Sequence, residues 1–190
     1  MNTVYQDVWV KGRVVERGYR ECANRYSLVR TFCERQFADR AFTVCDIGAN
    51  NCYFGLRLLE DFPGCTVIAF EFDHFGQRAT IVRANKTTRL LLLNRKVTLG
   101  DLTILAACMR FDCILALSVL HHVGGEFSDW LLALRRLGRH LLLELAGEDS
   151  VSRRMPTGHG IPVDATILGS APSHLQRGME RTLLALNGRP

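Results

Sequence analysis

The sequence lacks a membrane-spanning segment, a signal peptide and the cysteine pairs that are typical of metal sites. No apolar run approaches the ~20 residues that a membrane-spanning helix needs, and the polar N-terminus lacks the apolar core of a signal peptide. The seven cysteines include no CxxC pair, and several lie in apolar runs, where reduced cysteine behaves as a small buried hydrophobe. We therefore expect a cytoplasmic protein with no membrane span and no bound metal.

The segment Phe42–Asp73 predicts two parallel strands joined by a helix. Phe42–Ile47 is an apolar run of strand length, and Gly48 interrupts it. Tyr53–Glu60 then has apolar residues at helical spacing, and Cys65–Phe70 is a second buried run. Two runs connected in this way form a βαβ unit, in which a ligand lies beyond the carboxyl ends of the strands.

The glycines missing from this unit restrict the ligand that it can take. A dinucleotide fingerprint that starts at Gly48 needs glycine at positions 50 and 53, where the chain has Asn50 and Tyr53. No glycine-rich loop ends in Lys and Ser or Thr, so a triphosphate cradle is absent as well. NAD, FAD and nucleoside triphosphates are disfavoured, and S-adenosylmethionine fits, since the ionised Glu71 carboxylate can accept both ribose hydroxyls.

Four segments resemble, in order, the motifs of class I S-adenosylmethionine-dependent methyltransferases. They are Asp46-Ile47-Gly48-Ala49-Asn50, Glu71, FDCILALSVLHHV over Phe111–Val123, and HLLLELA over His140–Ala146. More narrowly, Arg20, Cys22 and Arg25, together with the LSVLHHV and LLLELA segments, resemble the methyltransferase part of bacterial O-antigen chain-terminating enzymes, which methylate a phosphate on a glycan end. The chain departs from the family at Cys52, where members usually carry glycine. A cysteine there narrows the cofactor pocket.

The resemblance implies an α/β fold: a Rossmann-like, mainly parallel seven-stranded sheet with an antiparallel edge strand and helices on both faces. With 190 residues, we expect a single domain, in which an N-terminal helical or lid segment (1–40) precedes the Rossmann-like core (41–190). Periodicity predicts helices over Arg20–Phe37, His74–Ala84, Asp101–Cys108 and Glu126–Leu137, and further strands over Leu90–Leu93, Phe111–Leu117, His140–Leu145, Ala165–Leu168 and Thr182–Leu186. The last two strands are expected to pair antiparallel.

Candidate catalytic and acceptor-binding residues depend on the chemistry of the methyl acceptor. A hydroxyl acceptor gains from a general base, and His121 or His122 follows a strand at the expected pocket mouth. The alternative is that both histidines only hydrogen-bond their loop. A phosphate acceptor is already ionised and needs guanidinium or imidazole partners instead. Candidates for that role, each of which could also form an ordinary surface ion pair, are Arg20, Arg25, Arg153, Arg154 and His159.

Candidate cofactor contacts lie at the carboxyl ends of the predicted strands. Asp46 either organises the turn and binds the cofactor's amino group or caps the following helix, and Asp73 could replace Glu71 as the ribose acceptor. The adenine pocket involves Asn94 and Arg95 by the resemblance, or Gly100 and Asp101 by the acidic pattern of the wider family. The full cofactor set is Asp46, Gly48, Asn50, Glu71, Asn94, Arg95, Leu117 and Ser118, with Tyr5, Trp9, Tyr19 and Tyr53 forming either a substrate lid or ordinary packing.

Three functions are compatible with these residues. The first is S-adenosylmethionine-dependent O-methylation of a small molecule, a glycan end or a phosphate. The net charge of +5 also permits an RNA methyltransferase, and Cys52 raises the possibility of a non-catalytic binding protein with the same fold. Base methylation of duplex DNA is disfavoured, because the (D/N/S)PP(Y/F/W) segment and the Pro-Cys nucleophile are both missing. The sequence leaves the acceptor and the oligomeric state open.

Overall fold

The structure is a computed structural model that describes residues 4–20, 22–120, 127–145, 164–172 and 180–188. Its elements fall into two compact units, which divide between Lys96 and Val97. Within the described ranges, no helix is long and apolar enough to cross a membrane. The expected single domain stays a prediction.

The first unit contains the predicted βαβ unit and one further parallel strand. Its elements are β1 (Val8–Val10), β2 (Arg13–Glu16), α1 (Ala23–Phe37), β3 (Phe42–Ile47), α2 (Tyr53–Asp61), β4 (Cys65–Glu71), α3 (Phe75–Asn85) and β5 (Leu90–Asn94). Strand β4 pairs in parallel with both β3 and β5. The apolar residues that predicted β3 and β4 are mostly buried, as expected for parallel strands covered by helices.

The N-terminal segment contains a β-hairpin that the sequence did not predict, followed by the predicted helix α1. Strands β1 and β2 form an antiparallel hairpin around Lys11 and Gly12, which both have positive φ angles, 46° and 79°. Two central residues of positive φ suit the right-handed twist of a two-residue hairpin. Helix α1 begins at Ala23 rather than at Arg20, because Arg20 is drawn into a bridge with Gln6.

The second unit contains two parallel strands followed by an antiparallel pair. Its elements are α4 (Leu99–Cys108), β6 (Phe111–Leu117), α5 (Phe127–Leu137), β7 (Gly138–Leu145), β8 (Thr166–Pro172) and β9 (Glu180–Asn187). Strands β6 and β7 are parallel, and β9 is antiparallel to both β7 and β8. The predicted antiparallel pairing of the last two strands is thereby confirmed.

Seven of the described strands form one sheet in the order β5-β4-β3-β6-β7-β9-β8. The predicted fold class is confirmed: the sheet is mainly parallel and belongs to the Rossmann-like α/β type. Its antiparallel strand, β9, lies between β7 and the outermost strand β8. In such sheets, ligands bind at the edge formed by the carboxyl ends of the parallel strands.

Candidate functional site

A tight turn after β3 is hydrogen-bonded to the carboxyl end of β4. The backbone N–H groups of Gly48 and Ala49 both donate to the carbonyl of Phe70, at 2.9 and 3.1 Å. Gly48, Asn50 and Cys52 have left-handed φ angles of 69°, 50° and 57°. Glycine and asparagine adopt this region readily, whereas cysteine does so at a conformational cost. The turn therefore places the first residues of α2 over the ends of β3 and β4.

Glu71, the last residue of β4, holds this turn through its carboxylate. Its Oε2 accepts the N–H of Asn50 at 2.8 Å, and its Oε1 accepts the N–H groups of Phe72 and Asp73 at 2.8 and 2.9 Å. A carboxylate offers about four acceptor positions, so one position remains on Oε2 for a ligand hydroxyl. The Asp73 side chain is 65% exposed and lies 3.5 Å from His74, which favours the buried Glu71 over Asp73 as the ligand group.

Asp46 is buried in β3, and the structure does not use it as a helix cap. The N-cap position of α2 is Cys52, and no side chain hydrogen-bonds there. Within the described residues, the Oδ2 atom of Asp46 is buried and has no hydrogen-bond partner. Burial, and secondly the charge of Glu71, raises the Asp46 pKa to about 7, while Arg25 lowers it. An acceptor oxygen is thus held in the interior without a donor from the described chain.

Cys52 lies close to both of these carboxyl groups. Its side chain is fully buried, and its Sγ atom is 4.0 Å from the carbonyl oxygen of Asn50. Burial is the main cause that raises the thiol pKa, and the charges of Asp46 and Glu71 add to it, while Arg78 opposes them. The thiol is therefore neutral at physiological pH and occupies buried volume at the N-cap of α2.

A buried polar network that the sequence did not predict anchors the N-terminal segment to the turn. The Asn51 side chain is fully buried, donates to the carbonyl of Gln6 at 2.7 Å and accepts a hydrogen bond from the Arg78 guanidinium. Among the described residues, Arg78 Nε and Gln6 Oε1 are buried without hydrogen-bond partners. The network joins three distant parts of the first unit, so no local pattern could have indicated it.

The two adenine-pocket alternatives differ in how the structure uses their side chains. Asn94 is in register with Glu71, and the Arg95 N–H donates to the Glu71 carbonyl at 3.2 Å, so this pair lies beside the ribose candidate. The Asp101 carboxylate instead accepts from the N–H and the hydroxyl of Thr98, each at 2.9 Å, in a capping box at the start of α4. A structural role thus accounts for Asp101.

In the second unit, Leu117 ends β6 and Ser118 follows it with a left-handed φ of 61°. The Ser118 hydroxyl donates to Glu144 Oε2 on β7 and accepts from Arg181 Nη1 on β9 at 2.7 Å. All three polar side chains are buried. Sequence reasoning missed Glu144 and Arg181, although a glutamate within the apolar run LLLEL was a visible signal.

The two arginines before β3 are buried rather than exposed. The Arg20 guanidinium lies 5.3 Å from the Tyr5 ring centroid and donates to the Tyr5 hydroxyl. The Arg25 guanidinium lies 4.8 Å from the Phe54 ring centroid, at the first turn of α2. Such burial contradicts the alternative of ordinary surface ion pairs for these two residues.

The aromatic residues expected to form either a lid or packing divide between exposed and buried positions. Trp9 and Tyr53 are buried and make an edge-to-face contact at 5.9 Å, which fits packing. Tyr5 and Tyr19 make a similar contact at 5.3 Å, and Tyr19 is 53% exposed.

Several predicted site residues lie outside the described part of the chain. These are His121 and His122, proposed as general bases, and Arg153, Arg154 and His159, proposed as acceptor contacts. Their roles stay predictions.

Proteins of known structure share the fold of this chain. No known protein family matches the sequence, and no curated protein matches it either. The bifunctional kinase-methyltransferase WbdD is similar in structure, with a TM-score of 0.74 and 18% identity, over 98% of this chain and 44% of the WbdD chain. The N-terminal domain of EvdMO1, crystallised with S-adenosylhomocysteine (SAH) bound, has a TM-score of 0.66 and 14% identity over 99% of this chain and 92% of that domain.

The extent of each match limits what can be transferred. This chain spans less than half the length of the WbdD chain, and both identities lie below 25%. Such similarity concerns the backbone arrangement rather than the chemistry. The chain shares its Rossmann-like fold with WbdD and with the N-terminal domain of EvdMO1.

Proposed function

We propose that this chain is an S-adenosylmethionine-dependent methyltransferase that acts on an oxygen of a small molecule, a glycan end or a phosphate. The observation that carries the proposal is the pair of buried carboxyl groups, Asp46 and Glu71, at the carboxyl ends of two parallel strands. A turn with a single glycine, Gly48, separates them from α2. The SAH bound to the similar EvdMO1 domain supports the same cofactor for this chain.

The chemistry of the two carboxyl groups suits an adenosyl sulfonium better than a pyrophosphate. A pyrophosphate next to buried carboxylates would meet electrostatic repulsion, and Asn50 and Tyr53 replace the glycines that would let backbone approach it. The remaining acceptor position on Glu71 suits a ribose hydroxyl, and Asn94 and Arg95 lie beside it for the adenine. In methyl transfer, the enzyme mainly holds the acceptor oxygen in line with the sulfonium methyl group.

Calorimetric titration with SAH tests the cofactor. We expect saturable binding of SAH under conditions in which NAD and ATP release no binding heat. Tight binding of NAD or ATP, with none of SAH, would contradict the proposal. The acceptor class is then found by incubating the protein with methyl-labelled cofactor and host fractions of small molecules, polysaccharide and RNA. Label in RNA alone would favour the RNA methyltransferase instead.

Cys52 favours one other function, a non-catalytic binding protein. Its buried thiol occupies volume at the N-cap of α2, in the position where the resembling enzymes usually have glycine. If the thiol excludes the cofactor, neither SAH nor S-adenosylmethionine will bind the native protein at millimolar concentration. The variant Cys52→Gly then distinguishes a blocked pocket from a missing one, because only a blocked pocket gains SAH binding on this substitution.

A further inference from the structure

We propose that Arg78 binds the phosphate group of a phosphorylated ligand, at the place where helices α2 and α3 begin. The ligand class is a phosphate monoester, which the site holds through the oxygens of its dianion. The inference goes beyond the proposed function and does not depend on the cofactor.

Arg78 is a buried positive charge without a counter-charge in the described part of the chain. The residue is 6% exposed, and the one hydrogen bond that it makes to a described residue is donated to Asn51 Oδ1. Its Nε atom is buried without a partner, and no described carboxylate forms an ion pair with it. A guanidinium has five N–H donors, and buried charges are normally paired. The guanidinium therefore has donors available for an anion.

The carboxylates near the start of α3 do not supply this counter-charge. Glu71 directs its carboxylate to three backbone N–H groups and, within the described residues, forms no ion pair with Arg78. The Asp73 carboxylate is 65% exposed and lies 3.5 Å from the His74 imidazole. Both carboxylates thus have other partners, which leaves the charge of Arg78 to be balanced by a ligand.

The starts of α2 and α3 add positive potential at the same place. Arg78 lies in the first turn of α3, and its partner Asn51 lies two residues before the first residue of α2. Among the described residues, no side chain caps the start of either helix, and neither first turn contains an acidic residue. Helix α4 has both features, in Thr98 and Asp101. Because each helix start is equivalent to about half a positive charge, the site presents about two with the guanidinium.

This charge favours a phosphate monoester over a carboxylate. A phosphate monoester carries about −1.5 to −2 charges at pH 7 and has three strong acceptor oxygens, whereas a carboxylate carries a single charge. A guanidinium binds two phosphate oxygens at once in a planar fork. The start of α3 is open to a ligand: the His74 side chain is 62% exposed, and no described atom lies within 4 Å of where a Cβ of Gly76 would be.

Calorimetry of the native protein with three small anions, in a phosphate-free buffer at constant ionic strength, tests the site. We expect saturable one-to-one binding of inorganic phosphate and of methyl phosphate, and binding of acetate that is weaker by roughly tenfold or more. Absence of saturable phosphate binding, or acetate binding as tight as that of phosphate, would overturn the proposal. Much weaker binding of methyl phosphate than of inorganic phosphate would overturn the monoester and indicate the free ion.

Substitutions assign the binding to Arg78. Arg78→Met should weaken phosphate binding by roughly tenfold or more, and Arg78→Lys, which keeps the charge but lacks the fork, should recover part of the loss. Arg83→Met is the matched control, because Arg83 lies on the same helix, is exposed and donates to the Thr80 hydroxyl. The control should bind phosphate as the native protein does. Equal phosphate affinity in Arg78→Met and the native protein would overturn the inference.

Titration with SAH separates this inference from the proposed function. Arg78→Met should lose phosphate binding and keep the native affinity for SAH. Parallel loss of phosphate and SAH binding would show that Arg78 only supports the turn through Asn51, which overturns the inference while the proposed function stands. A native protein that binds phosphate at Arg78 but does not bind SAH would support the inference while the proposed function fails.

Discussion

Replacing Glu71 by alanine removes the carboxylate that joins β4 to the turn after β3. Three backbone N–H groups lose their ionised acceptor: those of Asn50, Phe72 and Asp73. Phe72 and Asp73 are exposed, so their N–H groups can turn to water, whereas Asn50 is partly buried. The ribose of a bound cofactor would also lose its charged acceptor.

The expected size follows from these contacts. A hydrogen bond to a charged group contributes about 1.5–3 kcal/mol, which corresponds to roughly 10- to 150-fold in affinity for SAH. The unfolding free energy should fall by about 1–3 kcal/mol, mainly through the Asn50 N–H, because the other two donors are rehydrated. The loss of repulsion towards Asp46 offsets part of this cost.

Titration calorimetry of the Glu71→Ala protein with SAH measures the affinity, and urea unfolding measures stability. Asp73→Ala is the control, because the Asp73 carboxylate lies only two residues after Glu71 and is 65% exposed. We expect the control to bind SAH as the native protein does. The reasoning is refuted if Glu71→Ala binds SAH normally; weaker binding by Asp73→Ala would then transfer the ribose role to Asp73.

Three further predictions concern other buried groups. Cys52→Gly should tighten SAH binding severalfold by calorimetry, because glycine adopts a φ of 57° freely and vacates the thiol volume; unchanged affinity would show that the thiol lies outside the ligand space. In the ligand-free protein, the Asp46 pKa is raised from 3.8 to about 7, so the fold binds this proton more tightly than the unfolded chain. The stabilising contribution of Asp46 is therefore lost as the pH rises from about 4 through 7. The unfolding free energy of Asp46→Asn, measured by urea unfolding, should lack this decline with pH. An equal decline in the variant would show that Asp46 is not the group responsible. Arg181→Met removes the buried guanidinium that is linked to Glu144 through the Ser118 hydroxyl, which should lower the unfolding free energy by about 3–5 kcal/mol. Glu144→Gln should restore part of this loss in the double variant; strictly additive losses would show that the two groups are not coupled.

The fold could be predicted where local pattern and tertiary environment agree. Phe42–Ile47 and Phe111–Leu117 are continuous apolar runs, and both occur as strands with the predicted bounds, because both are buried in the sheet. The hairpin of β1 and β2 was missed although Lys11-Gly12 between two β-branched runs is a turn signal. Its strands have only three and four residues, too few for a clear alternation.

The sequence predicted where the backbone of the candidate site lies, but it did not predict most of the side-chain contacts there. Strand ends placed Asp46, Gly48 and Glu71 at one edge, as the parallel arrangement requires. The contacts of Asn51 with Gln6 and Arg78 could not be predicted, because they join residues 45 and 27 positions apart. The stacking of Arg25 on Phe54 depends likewise on how α1 packs, which no spacing in the sequence specifies.

A crystal structure of the native protein grown with SAH would decide whether the turn after β3 holds an adenosyl thioether. We predict density for SAH with a ribose hydroxyl on Glu71 Oε2 and the ammonium group beside Asp46. A cleft without SAH, with the Cys52 thiol filling the space beside both carboxylates, would contradict the proposed function.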